Sequence, residues 1–263
     1  MRFRLLQWRK DKKAMFAFVA FYILFGTIIS IFQERIIYHP YEQDFKTCRA
    51  FESAEKIEFN GTRMYFKKSG SKLAVLYHGN AGSACDRSFL ADIFVNSGYS
   101  FLVVEYAGYS NDGRKPSHDL IKNDVKNAVR FISSENFNEV AVIGESIGSG
   151  AAAYHAALML PDKLMLISPF SNLLDMARSK FWYYPVFIMV DNAFDNLENL
   201  KNYDNRIVII HGEKDDVIQY SLGQKLFLAL PVKNKEFVTI AGAGHNDLFT
   251  HPEAYTAMYN FLK

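Results

Sequence analysis

The sequence predicts an α/β protein: a mostly parallel sheet with helices on both faces, preceded by one amino-terminal transmembrane helix. Three observations carry this expectation. From about residue 55, short aliphatic runs alternate with apolar stripes at helical spacing. Residues 14–32 form an uncharged, apolar run directly after a basic amino terminus. The overall composition, 49% hydrophobic and 22% charged over 263 residues, is that of a globular chain and excludes intrinsic disorder. Two cysteines exclude a disulfide-built mini-domain and a four-cysteine zinc site.

The net charge of +2 is a sum of unlike parts. Residues 1–13 carry six basic residues and one acid, a net +5, which leaves residues 14–263 at −3. The uncharged run Ala14 to Phe32 would span roughly 28 Å as a helix, close to the hydrocarbon thickness of a bilayer. A cleaved signal peptide competes, but the run leaves through Ser30-Ile31-Phe32-Gln33-Glu34-Arg35 without a small-residue cleavage pattern. A buried helix is the third reading. With six Lys/Arg before the span and Arg35, Lys46 and Arg49 after it, the positive-inside rule keeps the amino terminus cytoplasmic. The remainder is then expected on the non-cytoplasmic side, periplasmic or lumenal. Arg2 stands where myristoylation needs glycine, and residues 1–13 hold no cysteine for palmitate. Cys48 and Cys85 would face an oxidising compartment, where a disulfide and two buried thiols are both open readings.

The elements follow in order. Ile57–Phe59 and Arg63–Phe66 flank Asn60-Gly61, a hairpin signal. Lys72–Tyr77, Phe101–Glu105, Val140–Gly144, Leu164–Ile167, Ile207–Ile210 and Phe237–Ile240 read as strands. Helical spacing appears at Phe89, Leu90, Ile93 and Phe94, and again at Ile121, Val125, Ala128, Val129 and Ile132. Further helices are expected over Gly148–Leu160, Ser221–Leu230 and Pro252–Leu262. The chain thus divides into residues 1–35 (cytoplasmic basic tail and anchor), 36–54 (connector) and 55–263 (a single α/β domain carrying the chemistry). In such sheets ligands bind outside the carboxyl ends of the strands.

That edge collects the chemically suggestive residues. Gly144-Glu145-Ser146-Ile147-Gly148 joins a strand to a helix, the turn that lifts a serine hydroxyl above a sheet. A serine needs a base, and His245 sits in the flexible loop Ala241-Gly242-Ala243-Gly244-His245, directly after a strand. His155, within a small-residue helix, reads as packed. The base needs an orienting acid, and His211-Gly212-Glu213-Lys214-Asp215-Asp216 offers Asp215, with Asp216 as substitute. The backbone N–H groups of Ile147 and of Asn80, in Tyr77-His78-Gly79-Asn80-Ala81-Gly82, would hold an oxyanion. The sequence lacks a phosphate-binding Gly-Lys-Ser/Thr, a His-Glu-x-x-His metal motif and a dinucleotide Gly-x-Gly-x-x-Gly. No metal, cofactor or nucleic-acid partner is therefore expected.

These residues resemble the α/β-hydrolase superfamily, in particular its membrane-anchored serine-hydrolase branch. The resemblance covers roughly residues 33 to 263. It is carried in order by Phe32-Gln33-Glu34-Arg35-Ile36-Ile37-Tyr38-His39-Pro40, by His78–Gly82, by Gly144–Gly148, by Ser168-Pro169-Phe170, by His211–Asp215 and by Gly244-His245. It implies the α/β-hydrolase fold, a triad in the chain order Ser146, Asp215, His245, and hydrolysis of acyl esters or thioesters. Relatives remove protein-bound palmitate or cleave lysophospholipids. The sequence departs from the family at Glu105-Tyr106-Ala107-Gly108-Tyr109-Ser110, where relatives read Asp-Tyr-Arg-Gly-Tyr-Gly, and it lacks their Cys-rich amino terminus. The uncharged run 181–190 falls where such hydrolases place a lid or acyl pocket, so Phe181, Trp182, Tyr183 and Phe187 are expected to wall an acyl or lipid substrate. A serine aminopeptidase or amidase of the same fold, and a tethered non-catalytic scaffold, are the alternatives.

Overall fold

In the computed structural model, residues 2–41 and 43–263 are described, with side chains from residue 11 onward. The side chains of Arg2, Arg4, Arg9 and Lys10 in the basic tail thus lie outside the described residues. The chain opens with helix α1 (Arg2–Ile37). Within it, Asp11–Ile37 is long and apolar enough to cross a membrane, and little of it is covered by the rest of the protein. The helix runs without a break through the uncharged segment because nothing in 14–32 stops it: one glycine, Gly26, and no proline.

A hairpin follows, β1 (Glu55–Phe59) and β2 (Thr62–Lys67). Asn60 and Gly61 both take positive φ, 49° and 79°, the conformation a two-residue turn between twisted strands requires. Next come β3 (Lys72–Tyr77), α2 (Ser88–Asn96), β4 (Ser100–Glu105), α3 (His118–Ser133) and β5 (Glu139–Glu145). They are followed by α4 (Gly148–Leu158), β6 (Lys163–Ile167), α5 (Leu173–Lys180) and α6 (Asn196–Asn199). The chain ends with β7 (Arg206–Gly212), α7 (Tyr220–Ala229), β8 (Lys235–Ile240) and α8 (Pro252–Leu262). Helix α4 stops at Leu158, two residues before the expected end, with Met159 extended ahead of Pro161. Proline disfavours helical geometry in the residue before it, so the break falls upstream of the ring.

The sheet has eight strands in the order β1-β2-β4-β3-β5-β6-β7-β8. Pairing from β4 through β8 is parallel; β1 and β2 join antiparallel at one edge. The central strands are buried on both faces, as in β4, where every residue is covered. The connector is part of this packing. Phe45 and Phe51 lie against Tyr65 on β2, with ring centroids 4.5 and 4.4 Å away. Cys48 and Cys85 form a disulfide with Cα atoms 6.0 Å apart. It ties the connector to the short 3₁₀ turn Ala84–Arg87.

Candidate active site

The turn from β5 to α4 forces Ser146 into a left-handed conformation, φ 55°, fastened by its N–H to the Ile167 carbonyl at 2.8 Å. The flanking glycines are demanded by contact. A Cβ on Gly144 would sit 2.4 Å from the Gly148 carbonyl oxygen, and one on Gly148 would sit 2.2 Å from the Tyr77 carbonyl oxygen. Such overlaps with backbone have no side-chain remedy, so the two glycines let strand, turn and helix close around the serine. The cost of a strained φ at a non-glycine residue is of order 1–3 kcal/mol and is typical of functional turns.

Three side chains from three strand ends meet here. The Ser146 hydroxyl donates to His245 Nε2 at 2.9 Å, and His245 Nδ1–H donates to Asp215 Oδ2 at 2.7 Å. Asp215 Oδ1 accepts from the backbone N–H groups of Val217 and Ile218, at 3.0 and 2.8 Å. Burial alone would raise the Asp215 pKa, but hydrogen bonds from His211 and His245 and the charge of His245 hold it well below the usual carboxylate range. His211 sits behind it, with Nε2–H donating to the Ile218 carbonyl at 2.9 Å and lying 3.3 Å from Asp215 Oδ2. Gly223 clears the space for that ring, since a Cβ there would meet His211 Nδ1 at 2.3 Å. Asp216 is exposed and its carbonyl accepts from Lys180 Nζ at 2.5 Å, away from His245.

Asn80 and Ile147 face the same cavity as Ser146 and His245. The Asn80 side chain is committed elsewhere: its Oδ1 accepts from the His39 N–H at 2.9 Å and from the Tyr109 hydroxyl at 3.0 Å. Among the described residues, neither the Asn80 nor the Ile147 N–H is donated to another protein group. Behind this loop lies a pair that no motif announces. Arg87 Nε and Nη2 bind Glu145 Oε2 and Oε1 at 2.7 and 2.9 Å, and Nη2 also reaches the Ala81 carbonyl at 3.1 Å. Burial opposes the Glu145 charge, yet the Arg87 guanidinium outweighs it and lowers the carboxyl pKa. The fork of Arg87 thereby links the residue before Ser146 to the Asn80 loop. Fifty-eight residues separate the partners, and no spacing rule connects them.

The segment from Glu105 to Ser110 is held by its own contacts. Glu105 is fully buried; its Oε2 accepts from the Ser110 hydroxyl at 2.7 Å and the Ala84 N–H at 3.2 Å. His78 lies 3.3 Å from its other oxygen. Ala107 donates its N–H to Asp124 at 2.7 Å. His155, buried in α4, pairs with the Tyr77 hydroxyl at 2.8 Å, and burial lowers its pKa to about 3.

A cavity of about 460 Å³ extends from Ser146. Its lining is mostly apolar, including Phe170, Leu173, Met176, Phe181, Tyr184 and Val186. Of the four aromatic residues expected to wall a substrate, Phe181 lines this cavity. Trp182, Tyr183 and Phe187 do not: they are exposed on its outer side, and Tyr184, Val186, Met189 and Val190 take the inner positions. The segment turns tightly through Pro185 and the 3₁₀ turn Val186–Ile188, so neighbouring residues face opposite ways. The cavity also draws Ile29, Gln33, Ile36 and Ile37 from α1, a wall that an anchor-only reading of that helix leaves out.

No family model matches the chain. It is 27% identical over 237 residues to an uncharacterized protein of Mycobacterium tuberculosis, covering 84% of each. It is 28% identical over 225 residues to lysophosphatidylserine lipase ABHD12 of Macaca fascicularis, a match covering 74% of this chain and 56% of that protein. Among solved structures it resembles the Pyrococcus furiosus esterase Pf2001, with TM-score 0.64 and 16% identity over 86% of this chain and 97% of the esterase. It also resembles ferulic-acid-bound Est1E from Butyrivibrio proteoclasticus, with TM-score 0.63 and 15% identity over 80% of this chain and 99% of Est1E.

Proposed function

We propose that this chain, an α/β-hydrolase by fold, is a membrane-anchored serine hydrolase that cleaves carboxylic ester or thioester bonds of acyl lipids. The observation that carries the reading is the hydrogen-bonded line Ser146–His245–Asp215 at the end of an apolar cavity. His245 Nε2 takes the Ser146 proton as the oxygen attacks the acyl carbonyl. The negative oxygen of the tetrahedral intermediate is held by the Asn80 and Ile147 N–H groups, where loss of one donor typically costs about 3 kcal/mol of barrier. As the intermediate collapses, the alcohol or thiol leaves with the proton from His245, and the acyl group remains on Ser146. Water then repeats the sequence, giving its proton to His245, releasing the acid and restoring the serine. Asp215 keeps the proton on His245 Nδ1 and stabilises the imidazolium; its strongly depressed pKa means that it stays charged throughout.

The substrate class rests on the cavity and on the relatives. An apolar channel of this size suits an acyl chain, and the named relative is a lysophosphatidylserine lipase. Anchoring through residues 14–32 with the amino terminus cytoplasmic is supported by the basic tail. The Cys48–Cys85 disulfide supports an oxidising, non-cytoplasmic location for residues 36–263. A fluorophosphonate probe should label the wild type at Ser146. Ser146→Ala should abolish labelling and lower ester turnover by at least about 10⁴-fold with the protein still folded. Labelling that survives the substitution removes Ser146 as the nucleophile.

A further inference from the structure

Helix α1 does more than pass near the domain. Tyr22, Gly26, Ile29, Gln33 and Ile37 recur every three or four residues and, with Ser30 beside Ile29, make one face of the helix. That face is laid along residues 181–190. Tyr22 stacks on Tyr184 with centroids 4.4 Å apart, and its hydroxyl donates to the Tyr183 carbonyl at 2.5 Å. Gly26 lets Met189 close in, since a Cβ there would stand 2.5 Å from the Met189 methyl carbon. Ser30 Oγ donates to the Met189 carbonyl at 2.7 Å, and Gln33 Oε1 accepts from the Asp191 N–H at 2.9 Å.

The loop 181–190 holds no charged residue, and charges close it at both ends, Lys180 and Asp191. Asp191 is level with Gln33, just past the uncharged run of α1. Tyr22, the deepest of these loop contacts, stands ten residues before Phe32, about 15 Å along the helix and near half the thickness of a hydrocarbon core. Non-helical backbone tolerates that depth only when its polar groups are satisfied within the protein. Here internal turns do this: Tyr184 N–H to the Phe181 carbonyl, Ile188 N–H to Pro185, and Val190 N–H to Val186. The hydroxyls of Tyr22 and Ser30 take two of the remaining carbonyls. Outside, Trp182 and Ile188 are 81% and 71% exposed, and Phe18, Phe21 and Ile23 of α1 are exposed as well. In water these would form a large unpaired apolar surface.

We propose that residues 181–190 are a re-entrant loop seated in the non-cytoplasmic leaflet against α1, and that the cavity between them receives one acyl chain of a lipid directly from that leaflet. Ile29 and Ile36 of the membrane helix are then chain-binding residues. Ile36 both lines the cavity and is half exposed, which places the opening at the helix flank. The acyl-binding half of this proposal rests on the ester-hydrolase reading above; the seating of the loop does not.

Two experiments on the full-length protein in phosphatidylcholine vesicles separate these parts. The sequence has two tryptophans, so Trp8→Phe leaves Trp182 as sole reporter. Lipids brominated at mid-chain should quench its fluorescence more strongly than lipids brominated near the headgroup. Absence of quenching by either, or stronger quenching from the headgroup position, overturns the re-entrant loop, whatever the activity. In the second, Ile29→Trp should lower the turnover ratio of a long-chain lysophospholipid to a short-chain ester by about tenfold or more. Ile23→Trp, on the exposed face of the same helix, should leave the ratio at the wild-type value. Equal ratios in both variants overturn the acyl channel. A wild type that neither cleaves these esters nor binds a fluorophosphonate overturns the hydrolase reading instead, while quenching still decides where the loop sits.

Discussion

Ser146 and Ile29 face one cavity, but their walls are held by different chemistry. On the sheet side, backbone meets backbone: Gly148 packs on the Tyr77 carbonyl, Ser146 N–H binds Ile167, and the Arg87–Glu145 fork joins two loops. On the α1 side, aromatic faces, one flexible methionine and two hydroxyl donors do the holding. The first wall is rigid because a carbonyl cannot move without moving a strand. The second can yield side chain by side chain. On the proposed reading, acid–base geometry must be kept to within fractions of an ångström on the first wall, and an acyl chain of variable length would lie against the second.

Cutting the disulfide should produce the largest change in stability and leave the comparison intact. Cys48 and Cys85 are 37 residues apart, and closing a loop of that length contributes about 4 kcal/mol through the unfolded chain. Cys48→Ser combined with Cys85→Ser should lower the urea midpoint accordingly. Because the bond anchors the 3₁₀ turn that carries Arg87, the loss should appear on the sheet side. Contacts of 181–190 with α1, read by hydrogen exchange, should be unchanged.

Two glycines test the walls against each other. Gly148→Ala drives a methyl into two carbonyl oxygens, at 2.2 and 2.5 Å. It should cost about 3 kcal/mol or more, because neither the Tyr77 nor the His78 backbone can withdraw. Gly26→Ala meets the end of Met189, which can rotate away. Its cost should be under about 1 kcal/mol. Equal losses in thermal unfolding would show that the two walls are equally stiff.

The same contrast explains what could be read from the sequence. The alternation of strands and helices, the serine turn and the triad candidates were legible because each leaves a local mark. Gly144 and Gly148 meet a backbone demand at contact, and Asn60-Gly61 meets one at positive φ. The Arg87–Glu145 fork was not legible, since a bond between side chains 58 residues apart leaves no periodic mark. Nor was the role of α1 as a cavity wall, because an apolar helix reads the same whether lipid or protein covers it. The aromatic run showed that residues 181–190 are apolar, but not which side of the loop each faces. Phe181 turned inward while Trp182, Tyr183 and Phe187 turned out.

Acid–base behaviour should also divide the molecule. Residues 14–32 and 181–190 contain no Asp, Glu, His, Lys or Arg, so their association should be flat between about pH 4 and pH 8. The domain holds carboxylates shifted in both senses, among them Asp124 and Asp215. Burial pushes Asp124 up to about 6 despite hydrogen bonds from Ala107 and Thr62. Its folded form keeps the proton longer than the unfolded chain does, so its contribution is favourable at low pH. That contribution is lost as pH rises from about 4 to about 6, by up to about 3 kcal/mol. Asp215 is depressed, so its contribution is present above the ordinary carboxylate value and lost as pH falls below it. Asp124→Asn removes the first titration and leaves the second. Relative to that variant, the wild type should therefore lose stability between about pH 4 and pH 7, read as a change in the difference between their urea midpoints. A pH-independent difference would mean that Asp124 ionises normally.

The smallest effect belongs to the α1 wall. Ser30→Ala removes the hydroxyl that satisfies the Met189 carbonyl. Hydrogen bonds between membrane-buried side chains and neighbouring segments are worth about 0.6 kcal/mol on average and under about 2 at most, because the freed group finds other partners. The loop should therefore stay docked, with exchange of amides in 181–190 accelerated by roughly threefold in vesicles. The stack of Tyr22 on Tyr184 and the fit of Gly26 to Met189 remain to hold it. A much larger acceleration would mean that this one hydroxyl, and not packing, seats the loop, and the soft wall would then depend on polar contacts as the rigid one does.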